Sequence, residues 1–292
     1  MTAEPLASNL RRELKEFVLD RLPRSVRFQL REARRRRHVR RIRDLPELDE
    51  ALRAAYEAFQ ISEADGRRAL DGIEFVIGRP RPRDPATDAY RLNELAIYER
   101  LAGRPYVTEN ERSLFDVAEA VKRPFPYRTG SAEIVGDQLM LLGFLLKAIG
   151  IGPPARVLEF GPGWGNTTLA LLQTGYSVTA VEIDPKFIEL IAKRCADHAD
   201  RLALVTADML TFSSPDRFDV VLFFESFHHC TDHRLLLRRL HDLVADDGRI
   251  LFVAEPISDL AYPWGVRLDG HSIWAMRQLG WLELGFDRSY FM

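Results

Sequence analysis

ARVLEFGPGWGNTT, residues 155 to 168, decides the fold. Val157, Leu158 and Phe160 read as a short strand buried on both faces. Gly161, Gly163 and Gly165 turn the chain, and Asn166 to Leu172 begin a helix. A ligand here lies against the backbone, where a Cβ on any of these glycines would push it away. The helix N-terminus adds backbone N–H donors facing the same place. A dinucleotide fold wants G-x-G-x-x-G, with its third glycine at position 166. That position is Asn166, and the spacing found is E-x-G-x-G-x-G, from Glu159 to Gly165. A tight turn without any ligand is the plainer alternative.

Working outward, Tyr176 to Val181 reads as a second strand, ending in Glu182, Ile183 and Asp184. A carboxylate at this strand end offers two acceptor oxygens, enough for both hydroxyls of a ribose. A helix-capping charge is the alternative, and Asp184 suits it better. Leu202 to Val205 is the third strand, followed by Asp208 and Met209. Phe218 to Phe224 is the fourth, followed by Glu225, Ser226, Phe227, His228 and His229. Asp246, Asp247 and Gly248 make a turn before the fifth strand, Arg249 to Ala254, which leads to Glu255 and Pro256. Short apolar strands alternating with helical patterns predict an α/β fold with a Rossmann-like, doubly wound, mostly parallel sheet. Gly161, Glu182, Asp208 and Glu225 then share one sheet edge, where such folds bind ligands.

From Ala155 to Pro256 these segments, in this order, resemble class I S-adenosylmethionine-dependent methyltransferases. The His-His element after the fourth strand and the Glu-Pro after the fifth are similar to the small-molecule, quinone-biosynthesis branch. The resemblance implies S-adenosyl-L-methionine as cofactor. It assigns cofactor contacts to Glu159, Gly161, Gly163, Gly165, Glu182, Ile183, Asp208, Met209 and Glu225. Asp208 would accept from the adenine amino group, and the Met209 N–H would serve a ring nitrogen. Arg128, before the helix that leads into the first strand, would pair with the methionine carboxylate. The implied acceptor is a small molecule or a glycan-like one. His228 and His229 are the catalytic candidates, since an imidazole accepts a proton near neutral pH. The alternative is structural, one ring packing below the cofactor and the other capping the next helix. No metal is expected, because His229, Cys230 and His233 crowd one junction without a distant partner. Glu225 and Glu255 either shape the substrate mouth or cap helices.

The chain divides near Gly150 on this reading. Residues 1–150 form a helical N-terminal extension serving as lid or partner surface, and 151–292 form the cofactor-binding domain. Helices are expected over Glu47 to Phe59, Asp88 to Leu101 and Ser131 to Ile149. Thr108 and Glu111 fit a capping box opening another, to about Val121. After Pro256, His271 to Leu279 reads as a helix and Trp281 to Phe286 as a strand or loop. The two further strands usual in this family are not evident, so the domain reads as C-terminally shortened or incomplete. Tyr262, Trp264, Trp274, Trp281 and Tyr290 are candidates for an aromatic pocket lining.

Of 292 residues, 46% are hydrophobic and 29% charged, which fits a globular chain. A net charge of −2 gives the whole molecule no pull toward polyanions. Eight arginines crowd residues 31–43, REARRRRHVRRIR, which reads as a solvated helix face or arm, or as peripheral membrane contact. Nucleic acid is disfavoured, because no interleaved aromatic platform accompanies them. Two cysteines and an N-terminus lacking an apolar core point to the cytoplasm, and the apolar run Leu139 to Ile149 is too short to span a bilayer. The competing functions are a non-catalytic cofactor-binding module beside another enzyme and a nicotinamide-dependent oxidoreductase, the latter disfavoured by Asn166. The oligomeric state has no signature.

Overall fold

A computed structural model describes residues 39–78, 80–123, 132–258 and 262–291. Arg128 and residues 31–38 of the basic segment lie outside the described residues.

Two compact units divide the chain near Gly78, not near Gly150. In the first, β1 (Arg40–Ile42) is followed by α1 (Leu45–Ile61), α2 (Glu63–Asp71) and β2 (Ile73–Phe75), with Leu268–His271 in the same unit. Asp44 caps α1 by accepting the Glu47 N–H at 2.9 Å, and Ser62 caps α2. β1 and β2 pair in parallel over a core of Ile42, Leu48, Ala55 and Phe75. The end of the arginine-rich segment is therefore strand, not helix. Arg40 and Arg41 pair with Glu47 and Glu74 at 2.9 and 3.7 Å.

The second unit runs through α3 (Asp88–Ala102), α4 (Val117–Val121), α5 (Ala132–Ala148), β3 (Arg156–Phe160), α6 (Asn166–Gln173), β4 (Ser177–Glu182), α7 (Pro185–Arg194) and β5 (Leu202–Thr206). It continues through β6 (Phe218–Phe224), α8 (His233–Leu243), β7 (Val244–Val253), β8 (Ile257–Ser258), β9 (Trp264–Val266), most of α9 (Gly270–Gln278) and β10 (Leu284–Asp287). Residues 79–150 thus belong to the same unit as the large sheet.

That sheet has five parallel strands in the order β5-β4-β3-β6-β7. The chain enters at the centre, moves outward through β4 and β5, and returns to the far side of β3 through β6 and β7. Such a reversal opens a crevice at the carboxyl ends of the central strands. The register fixes what meets there: Phe160 pairs with Val181 and with Phe223, and Glu182 pairs with Thr206. Gly161, Glu182, Asp208 and Glu225 consequently emerge along one edge. Val157, Leu158, Phe160, Val220, Leu222 and Phe223 are fully buried, as strands covered on both faces require.

β7 begins at Val244, earlier than the sequence suggests. The expected turn at Asp246–Gly248 is a register irregularity between Phe218 and Val220 on β6. β8, β10 and β9 form a separate three-stranded sheet in which β9 and β10 are antiparallel. Buried Glu94 on α3 anchors this sheet by accepting the Val266 N–H at 2.8 Å while pairing with Arg81 at 2.7 Å. No described helix is long and apolar enough to cross a membrane.

Candidate functional site

A cavity of about 490 Å³ opens at the carboxyl edge of the central strands. Gly161, Gly163, Glu182, Ile183, Asp208, Met209, Glu225, His228 and His229 all line it, so most of the sequence-derived site is brought together.

The glycine turn divides its labour. All three glycines have positive φ, at 62°, 49° and 72°. A Cβ on Gly161 would lie 2.7 Å from Ser226 Cβ, and one on Gly165 would lie 2.6 Å from Ile191 Cγ1. Those two glycines let the turn pack against its own fold. A Cβ on Gly163 would meet nothing within 4 Å, so Gly163 alone faces open space. The expectation that every glycine clears room for a ligand is corrected accordingly, and Gly165 does not line the cavity.

Glu159 is also not on the wall. It is buried behind the turn, where Oε2 accepts from Thr168 Oγ1 at 2.6 Å and Oε1 has no hydrogen-bond partner. Burial raises its carboxyl to about 7, against the Thr168 hydrogen bond and with help from the Glu182 charge.

Glu182 is held toward the crevice by the backbone. Oε1 accepts from the N–H of Ile183 at 2.8 Å and of Asp184 at 3.1 Å, and Oε2 accepts from Gly163 N–H at 3.0 Å. Burial holds its carboxyl above the ordinary range, even though these three N–H groups favour the charged form. Asp184 takes the capping role, accepting from Lys186 N–H at the start of α7 and from Ser113 N–H. Asp208 accepts from Leu210 N–H at 2.8 Å. Glu225 is exposed, has φ of 51°, and accepts from Gln138 Nε2 at 3.2 Å. Ala254, at the end of β7 on the same cavity, also has positive φ. Such non-glycine outliers gather at ligand sites.

The histidine pair is organised by Glu255, Leu282 and Glu111, two of which the sequence places in other roles. Glu255, with a fully buried side chain, accepts the N–H groups of Ser226, Phe227 and His228, and receives Nδ1 of His228 at 2.8 Å. It is neither a mouth residue nor an α-helix cap; it ties the short 3₁₀ turn of residues 227–229 together. His229 places Nδ1 2.7 Å from the Leu282 carbonyl and 3.3 Å from Glu111 Oε2. Burial would lower the His228 pKa, but the hydrogen bond and charge of Glu255 outweigh it and the net shift is upward. Burial and the neighbouring His228 charge hold His229 well below its ordinary value, so it is neutral. Neither ring caps the next helix, because Asp232 does that by accepting from Leu235 N–H.

Glu111 is the chief omission. Thr108 and Glu111 form no capping box: residues 108–111 are a 3₁₀ turn, and α4 is capped by Asp116. Glu111 instead faces the cavity, accepts the Leu282 N–H at 2.9 Å, and is pushed by burial up to about 8. Glu283, Arg267 and Tyr106 share the cavity wall with it. Of the aromatic candidates, Trp281 lines the cavity, whereas Trp264 is buried against Tyr90 and His233.

Residues 157–248 match the family model described as "Methyltransferase domain". This segment is similar to methyltransferase domains. The matched segment includes the glycine turn, the acidic end of β4 and the strand ends that line the crevice. Among curated proteins, the chain is 39% identical over 84 residues to a mitochondrial ribosomal RNA small subunit methyltransferase of Arabidopsis thaliana, covering 28% of this chain and 22% of that protein. It is 46% identical over 77 residues to ribosomal RNA small subunit methyltransferase A of Thermobifida fusca, covering 25% of this chain and 27% of that protein. The chain therefore spans about a quarter of the length of these curated relatives. Among solved structures, coclaurine N-methyltransferase is similar over 70% of this chain and 57% of its own, at 18% identity and a TM-score of 0.42.

Proposed function

We propose that the chain transfers the methyl group of S-adenosylmethionine to a small-molecule or glycan-like acceptor. The observation that carries this reading is one cavity lined both by the cofactor residues Gly163, Glu182 and Asp208 and by a polar group around His228, His229 and Glu283. Transfer is an in-line displacement at a sulfonium carbon, so the protein mainly aligns the nucleophile and excludes water. In this proposal Gly163 gives the cofactor its place against the backbone, Glu182 accepts from both ribose hydroxyls, and Asp208 and Met209 meet the adenine. Ile183 and Glu225 flank the cofactor, and Arg128 pairs with its carboxylate. His229, neutral and with Nδ1 committed to the Leu282 carbonyl, offers Nε2 to an acceptor proton, while His228 is fixed beside it by Glu255. The quinone-like branch is the narrower form of the proposal. Arginine-rich residues 31–43 would add peripheral membrane contact.

A second reading has a nucleic-acid acceptor, favoured by the names of the ribosomal RNA relatives. The match covers about a quarter of those proteins, so their substrate does not carry over with it. The deciding experiment gives the full chain methyl-labelled S-adenosylmethionine together with metabolite, glycan and RNA fractions of a cell extract. Label in a metabolite or glycan fraction is the expected result. Label confined to RNA overturns the acceptor class. Cofactor binding without transfer to any fraction replaces the enzyme by a non-catalytic binding module.

A further inference from the structure

Three side chains on the cavity wall form a group that spacing along the chain concealed. His228, His229 and Glu283 each offer one ligand atom, and these atoms lie within 4.8 Å of one another. Nε2 of His228 and Oε2 of Glu283 are 3.9 Å apart, and the two imidazole centroids are 4.2 Å apart. Donors bound to one divalent transition ion at about 2.0–2.2 Å sit about 3–4 Å from each other. Small side-chain adjustments bring the three into that range.

The partners behind the rings point the same way. Nδ1 of His228 faces the Glu255 carboxylate, and Nδ1 of His229 faces the Leu282 carbonyl. A carboxylate and a carbonyl only accept, so each ring carries a hydrogen on Nδ1, and in the neutral ring the lone pair is on Nε2, the form a metal ion selects. Metal sites orient imidazole ligands in this manner, with a carboxylate or carbonyl on the second nitrogen. Glu255 is itself pinned by three backbone N–H groups, which fixes the His228 ring. A metal read from His229, Cys230 and His233 lacks a distant partner; Glu283 is such a partner, brought in from beyond α9 by the second sheet. Cys230 and His233 are not part of this group.

We propose that His228, His229 and Glu283 bind one divalent transition-metal ion. Two imidazoles with one carboxylate suit zinc, cobalt, iron(II) or manganese, whereas magnesium and calcium prefer oxygen throughout. Arg267 Nη1 stands 3.6 Å from Glu283 Oε2 and shares that carboxylate with the ion. Three protein ligands leave coordination positions open toward the cavity. With the ion bound, His229 Nε2 is a ligand and not the base, and an acceptor oxygen on the ion loses its proton to water more readily, which makes hydroxyl-bearing acceptors the favoured class. That last step rests on the methyl-transfer reading; ion binding does not.

The test strips the full chain with a chelator and titrates it with cobalt(II), following visible ligand-field absorption. One saturating equivalent is expected. Glu283→Gln and His229→Gln should each weaken cobalt binding at least tenfold while leaving S-adenosylhomocysteine affinity within about twofold. Absence of the absorption bands, or equal cobalt affinity in both variants, overturns the site. Should His229→Gln fail to fold, the near-isosteric Glu283→Gln decides alone. Failure of the methyl-transfer reading appears instead as a wild-type chain that binds no S-adenosylhomocysteine, a result that leaves the cobalt titration standing.

Discussion

Glu182→Gln tests the cofactor assignment most sharply, because the structure separates what the carboxylate does for the fold from what it offers a ligand. The amide oxygen can replace Oε1 and keep the N–H groups of Ile183 and Asp184. The amide nitrogen then faces Gly163 N–H at the place where Oε2 accepted it at 3.0 Å, donor against donor. The same substitution removes the charge from any bond to a ribose hydroxyl. A hydrogen bond to a charged group is worth about 1.5–3 kcal/mol. Affinity for S-adenosylhomocysteine should therefore fall by about 10- to 150-fold in isothermal titration. Stability should change far less. Burial already disfavours the charged carboxyl, so neutralising it offsets the lost Gly163 bond, and the melting temperature should move by no more than about 4 °C. Asp184→Asn is the control: its oxygen keeps the cap of α7 while its amide nitrogen opposes the Ser113 N–H, which costs about 1–3 kcal/mol of stability and spares affinity. Unchanged affinity in a folded Glu182→Gln chain would refute the assignment. A collapse in melting temperature that accounts for the lost binding would make Glu182 a structural residue only.

Gly161→Ala should lower the urea midpoint, since its methyl meets Ser226 at 2.7 Å and its φ is 62°; overpacking and backbone strain together cost about 2–5 kcal/mol. Gly163→Val should instead weaken S-adenosylhomocysteine by more than tenfold, with only the strain of a φ of 49° charged to stability. Glu159→Gln tests the buried carboxyl near 7: its protonated form is favoured in the fold, so wild-type stability should decline from about pH 4.3 up through 7 and then level off. The glutamine variant should lack that decline in urea midpoints measured across the range. Glu255→Gln should destabilise the chain by about 1–3 kcal/mol or more, because its amide nitrogen must oppose a backbone N–H now accepted by a carboxylate. Glu225→Gln, at an exposed position, should leave the melting temperature unchanged.

The parallel sheet was legible because its strands carry short apolar runs, most of them bounded by a residue that cannot continue them. Val157 to Phe160 ends at Gly161, and Phe218 to Phe224 ends at Glu225 in a positive φ. With helices after β3, β4 and β6, the doubly wound order places Gly161, Glu182 and Asp208 on one edge by register alone. The roles of the individual glycines were not legible. Three identical residues at even spacing say that the backbone is left-handed there, but only the neighbours say why. Ser226 and Ile191, which crowd Gly161 and Gly165, come from β6's end and α7, and no local pattern announces them.

The acceptor side of the cavity was harder for the same reason, carried further. T-x-x-E at Thr108 to Glu111 has the letters of a capping box, and the local chain offers nothing against that reading. A capping glutamate must reach back to the N–H three residues before it, and the 3₁₀ turn gives residues 108–111 no side-chain cap at all. Glu111 finds its donor at Leu282, far along the chain and just before β10. His229 spends Nδ1 on the carbonyl of that same Leu282, and Glu283 follows it directly. One backbone position thus satisfies a carboxyl from before α4 and an imidazole from after β6, and presents the next carboxylate to the cavity. The cofactor half of this site is written in consecutive residues because a βα turn is a local object. The half proposed to take the acceptor forms only with the second sheet, so a change at Leu282 that shifts its backbone should disturb Glu111 and His229 together while leaving Glu182 and Gly163 in place.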